Sequence, residues 1–257
     1  MTMADDSSNT RHDRSSQLRR FGFVLRKTWR RLVGPSNRHV ERLYEEHDYL
    51  EAYARHTDIR VRRDPHAAIG ADWFRHGKHQ LEFLTRHGLE RHHTLLDIGC
   101  GTLRAGRHFM RYLDPGHYTG ADISKVALAY ARKLVKKQRL TDRKPRLLLN
   151  ATKRLTFDFV PGERFDFLNA YSVFTHLNEA HVAECFEHLD HVMHDKSVFF
   201  FSYNAAPQHH QSGIKDFEYP FAFFEELARR HGFAVEDLSA EFEDPGTQQM
   251  VKLTRAS

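Results

Sequence analysis

The chain has 257 residues, enough for one large α/β domain with an N-terminal extension. Apolar residues make up 40% of it, with 20 Phe and 9 Tyr, which supplies a core and excludes disorder of the bulk of the chain. The formal net charge is +5, and the two cysteines, Cys100 and Cys185, exclude a disulfide framework and a Cys-paired metal site.

No apolar run approaches the roughly 20 residues that span a bilayer, and Met1 to Ser16 lacks the apolar stretch of a signal peptide. A cytoplasmic protein is the expectation. The 20 histidines are scattered rather than clustered, so no metal site is expected.

Residues 1–16, rich in Ser, Asp, Asn and Arg, read as a disordered tail. A helical N-terminal extension is expected over 17–71. Within 17–33, Leu18, Phe21, Leu25, Trp29 and Leu32 share one helical face and Arg and Lys cover much of the rest, until Gly34-Pro35 stops the helix. Such a basic amphipathic helix suits an anionic membrane surface, or equally a face packed on the domain. A second helical pattern runs from about Arg38 to His56, and a third from Asp72 to Gly88. From there, over 72–257, short apolar runs alternate with amphipathic helices, the pattern of βα repeats and a mostly parallel sheet. Strands are expected at 94–98, 117–121, 146–149, 165–170, 197–203, 233–239 and 247–254. Helices are expected at about 104–112, 124–138, 178–193 and 220–231. The last two strands have no helix between them and should form an antiparallel hairpin at the sheet edge. The stretch 203–219 is polar and reads as a loop.

The most informative segment is LLDIGCGTLRAG, residues 95–106. An apolar strand ends in Asp97, a glycine turn follows, then a helix. Gly99 and Gly101 let the backbone approach a ligand where a Cβ would collide. Asp97 would repel a pyrophosphate but not a ligand carrying an ammonium and a sulfonium. A dinucleotide fingerprint would also need glycine at Arg104.

These residues resemble motif I, D-x-G-x-G-x-G, of the class I SAM-dependent methyltransferases. Asp97, Gly99 and Gly101 match it, and Leu103 replaces the last glycine. Asp122 ends the next strand, where a carboxylate can accept from both ribose hydroxyls. Asn150 ends the third strand, where the family often carries a polar adenine contact. The resemblance implies a Rossmann-like seven-stranded sheet with an antiparallel edge hairpin. It also implies an S-adenosyl-L-methionine site made of Asp97, Gly99, Cys100, Gly101, Asp122, Ile123, Asn150, Ala151 and Ala170. In this family the segment before the fold often covers the donor, so part of Trp73 to Gly77 is expected as a lid.

Methyl transfer is an in-line displacement that an oxygen or nitrogen acceptor can assist by losing a proton to a base. Tyr171 and His176 follow strand four and Tyr203 follows strand five, all at the ligand-binding ends of the strands. His176 is the best candidate base, with a backbone hydrogen bond as its plainer role. A small-molecule, lipid or sugar acceptor is expected. A nucleic-acid enzyme is disfavoured because Asn169-Ala170-Tyr171-Ser172 lacks the Pro-Pro of base methylases, and nucleic acid is not expected as a partner. A non-catalytic SAM-binding regulatory protein is the rival outside enzymology.

Overall fold

The computed structural model describes residues 37–69, 73–242 and 248–256. The tail 1–16 and the basic helix expected at 17–33 lie outside the described residues. Residues 43–257 form one compact unit, so the boundary expected at 71/72 falls inside it.

The unit is built on a mixed sheet. Its parallel part has β1 (Leu95–Ile98) at the centre, flanked by β2 (Tyr118–Asp122) and β4 (Phe165–Ala170). β3 (Arg146–Leu149) extends it beyond β2, and β5 (Met193–Ala205) beyond β4. Strands buried on both faces are expected to read as continuous apolar runs. In β5 the run Phe199-Phe200-Phe201 shows why: alternate side chains leave opposite faces of a strand. Phe199 and Phe201 enter a core with Phe174, Phe186 and Phe224, while Phe200 enters a second core with Phe83 and Phe109.

β8 (Phe233–Asp237) and β9 (Gln249–Arg255) form the expected antiparallel pair. β9 is the inner member and runs antiparallel to β5, with Phe199 opposite Leu253 and Tyr203 opposite Gln249. The polar stretch 203–219 is not all loop. It holds β6 (His210–Gln211) and β7 (Phe217–Tyr219), and β7 pairs in parallel with the end of β5 through Asn204 and Ala205.

Helices fill the crossovers. α4 (Gly106–Tyr112), α5 (Lys125–Lys137) and α6 (Glu179–His188) follow β1, β2 and β4. α7 (Phe221–Arg230) lies between β7 and β8. Ser124 caps α5 by accepting from Ala127 N at 2.9 Å, and Asn178 caps α6 by accepting from His181 N at 3.0 Å. α6 stops at His188, short of the expected 193, because Met193 already pairs with Phe165. The pattern read as one helix over 38–56 is two, α1 (Asn37–Glu46) and α2 (Tyr49–Arg63). Asp48 separates them, since its side chain accepts from Glu51 N at 3.1 Å and caps the second helix. α3 (Trp73–Arg86) precedes β1. No helix among the described residues is long and apolar enough to cross a membrane.

Candidate active site

The turn after β1 is stitched to the end of β2. Gly99 N and Cys100 N donate to Ala121 O at 2.8 and 3.0 Å, and Gly101 N donates to Asp122 Oδ2 at 2.8 Å. Gly99 and Gly101 have φ of 70° and 54°, in the left-handed region that glycine enters without strain. A Cβ on Gly99 would also lie 2.6 Å from Val173 Cγ2. This turn opens on a cavity of about 280 Å³ at the C-terminal ends of the parallel strands.

Two buried carboxylates face that cavity. Asp97 stands in register with Asn169 on β4 and Gly120 on β2. Asn169 Nδ2 donates to Asp97 Oδ1 at 2.8 Å and Tyr118 Oη donates to Oδ2 at 2.7 Å. Gly120 makes room for that hydroxyl, because a Cβ there would sit 2.9 Å from it. Asp122 accepts from Gly101 N, and from Ser124 N at 2.7 Å through its other oxygen. Burial pushes both carboxyls up, each to about 6, against the downward pull of the hydrogen bonds they accept. Each oxygen keeps a further lone pair for a ligand. Asn169 Oδ1 is buried with no protein partner, an acceptor turned toward ligand-sized space.

Of the other residues singled out in the sequence, Cys100, Ile123, Asn150, Tyr171 and His176 line the cavity. Burial pushes the Cys100 thiol well up, which makes it a wall and not a nucleophile. The Asn150 amide is spent within its own turn, donating to Arg154 O at 2.8 Å and accepting from Lys153 N at 3.0 Å. Ala151 is exposed and Ala170 is buried in the core, and neither is part of the cavity wall. Tyr203 also falls outside it, packed on Phe224 with ring centroids 4.7 Å apart. Tyr203 stands near the C-terminal end of β5, but its ring packs against α7 and not on the cavity.

Sequence reasoning missed the cover of this cavity. α2 lies across it and contributes Tyr53, Thr57 and Arg60. One end is tied down by Glu51 and Lys153, 2.8 Å apart, and the other by Asp58, which accepts from Ser124 Oγ at 2.5 Å. The spacing 53, 57, 60 was the available signal, a polar and aromatic face on an otherwise amphipathic helix. The segment expected as a lid, Trp73 to Gly77, instead braces the glycine turn from behind. Trp73 Nε1 donates to Thr102 Oγ1 at 3.2 Å, and Gly77 packs on the Arg104 backbone. Asn169, Lys215 and Gln248 were missed as well, brought to the cavity wall by strand pairing and by segments far apart in the chain.

Residues 96–199 match the model of a methyltransferase domain. No curated protein matches the sequence. Among solved structures, the complex of DhpI with SAH shares 15% identity and a TM-score of 0.58, covering 81% of this chain and 97% of that one. A SAM-dependent methyltransferase from Clostridium acetobutylicum shares 13% identity and a TM-score of 0.57, covering 80% and 98%. Magnesium protoporphyrin IX methyltransferase from Synechocystis with bound SAH shares 15% and 0.54, covering 72% and 86%. At these identities the likeness is one of fold.

Proposed function

We propose that the chain, which has the class I methyltransferase fold and a methyltransferase-domain match over residues 96–199, takes a methyl group from S-adenosylmethionine and delivers it to a small-molecule acceptor. The observation that carries this is the pair of buried carboxylates, Asp97 and Asp122, beside a glycine turn at one cavity. The residues fit the donor's chemistry. Asp122 would hold the ribose hydroxyls, the Gly99–Gly101 backbone leaves room for the methionyl chain, and the orphaned Asn169 Oδ1 with Asp97 would receive its ammonium. When bound, the donor supplies an electrophilic methyl on a sulfonium that leaves as a neutral thioether. The protein's part is to align acceptor and methyl and to exclude water, for which the strap of α2 over the cavity is suited.

The test is calorimetric titration with S-adenosylhomocysteine, the unreactive product. Asp122→Ala should weaken binding by about 1–3 kcal/mol, roughly 5- to 150-fold, for loss of a buried charged acceptor. Unchanged affinity would remove Asp122 from the site, and preference for a nicotinamide dinucleotide would overturn the reading.

A further inference from the structure

We propose that His176 is the general base of the transfer, its tautomer set by the Lys215 carbonyl, and that the acceptor presents an O–H or N–H to it; this rests on the methyltransferase reading above. His176 closes the short turn Phe174–His176 after β4, and its side chain lines the cavity. Its Nδ1 lies 2.9 Å from Lys215 O. A carbonyl can only accept, so in the neutral ring Nδ1 carries the hydrogen and Nε2 keeps the lone pair. Lys215 Nζ stands 3.4 Å from the same nitrogen, but it donates to Asp216 Oδ1 at 2.9 Å. Asp216 Oδ1 is itself 3.3 Å from Nδ1, placed to stabilise the ring once it gains a proton.

The arrangement is held firmly. Tyr49 Oη donates to His176 O at 2.7 Å, and the Tyr53 ring lies 5.1 Å from the imidazole. The charged and titratable groups facing His176 are Tyr49, Tyr53 and His56 from α2 and Lys215 and Asp216 from the segment before β7. Burial raises both tyrosines far above neutrality, so neither competes for the proton. Burial and Lys215 hold His176 below the usual imidazole range, which leaves the ring neutral and able to accept. The plain backbone hydrogen bond expected of a histidine in this turn is therefore present, and it is what frees the other nitrogen.

The step balances. The acceptor's lone pair forms its bond to the methyl carbon, the carbon–sulfur pair leaves with sulfur, and the acceptor's proton passes to Nε2. The positive charge moves from the sulfonium to an imidazolium beside Asp216, which then releases its proton to water. A hydroxyl needs this help at neutral pH, and an ammonium must first give a proton to Nε2 to gain the lone pair that attacks, whereas a thiol acceptor ionises readily without it.

The experiment uses the full chain, labelled with nitrogen-15 at histidine and saturated with S-adenosylhomocysteine. Proton–nitrogen correlation spectra should show His176 neutral at pH 7, with Nδ1 protonated and Nε2 bare. Asp216→Asn should lower its titration midpoint, because the carboxylate raises it. With S-adenosylmethionine and a panel of phenol, alcohol, amine and thiol acceptors, His176→Gln should cut turnover of the O–H or N–H acceptor by about 10²- to 10⁴-fold. Product affinity should stay within about twofold. An Nε2-protonated ring, undiminished turnover by His176→Gln, or turnover of thiols alone would overturn the proposal. The tautomer is read on the wild-type chain, so a variant that fails to fold does not remove the test. Failure of the wild type to bind the product would sink the methyltransferase reading instead.

Discussion

Leu103 stands where the resemblance leads one to expect a glycine, and the backbone has kept the glycine's conformation, with φ of 65°. An L-residue there is strained by about 1–2 kcal/mol. The strain is tolerated because the side chain is fully buried among Phe109, Tyr118 and Leu134, and the turn is closed by Leu103 N donating to Cys100 O at 3.0 Å. Two truncations separate the effects. Leu103→Ala removes the packing and keeps the strain, so it should cost about 3–5 kcal/mol, the upper part of the range for a buried leucine. Leu103→Gly removes the packing and the strain together. It recovers about 1–2 kcal/mol, and loses about 0.5–1 kcal/mol to the greater freedom of glycine in the unfolded chain and about 0.8 kcal/mol for one more buried carbon. The two variants should then lie within about 0.8 kcal/mol of one another. At an ordinary buried position, without the strain term, glycine would fall more than about 1 kcal/mol below alanine. Urea denaturation of both variants, with m-values compared, measures the difference. A glycine variant less stable than the alanine variant by more than about 1 kcal/mol would show that the turn holds no strain to relieve.

Product affinity should be constant above about pH 7 and fall as pH drops through about 6, because Asp97 and Asp122 protonate there and lose acceptor capacity; calorimetry from pH 5 to 8 that showed no slope would refute this. The free chain should respond with the opposite sign: carboxyls raised from 3.8 to about 6 contribute stability fully present below about pH 4, which is lost as pH rises through about 6. Gly77→Ala, which would gain about 1 kcal/mol in an open helix, should instead lower the melting temperature. Its Cβ would come within 2.0 Å of Arg104 O, and an unchanged or higher melting temperature would show that α3 does not press on the turn.

The parallel strands were legible because each is a short apolar run bounded by turn residues. β3 and β4 were placed to the residue, at 146–149 and 165–170. Legibility failed where structure depends on partners rather than on pattern. β6 and β7 are two and three residues long, too short for any period to show, and they exist because the end of β5 offers an edge to pair with. α1 and α2 read as one helix because the apolar stripe continues through the break, although Asp48 and Glu51 had the spacing of a cap.

The same distinction divides the site. Asp97, Gly99, Gly101 and Asp122 come from two consecutive strand ends, and each meets a local backbone requirement that leaves a mark in the sequence. The rest of the cavity wall includes Tyr53 and Arg60 from a helix before the sheet, His176 from the turn after β4, Lys215 from the approach to β7 and Gln248 from just before β9. Apart from the two on that helix, none of these has a fixed spacing to another, since each comes from a separate segment of the chain. Even His176 was readable only as a histidine near neutral pKa. What would let it serve as a base is the Lys215 carbonyl that claims Nδ1, and a main-chain atom 39 positions away leaves no signature in side-chain identity. Donor binding reuses a contiguous turn whatever the acceptor. Acceptor choice rests on contacts that loops can change one at a time, and such contacts are seen only once the chain has folded.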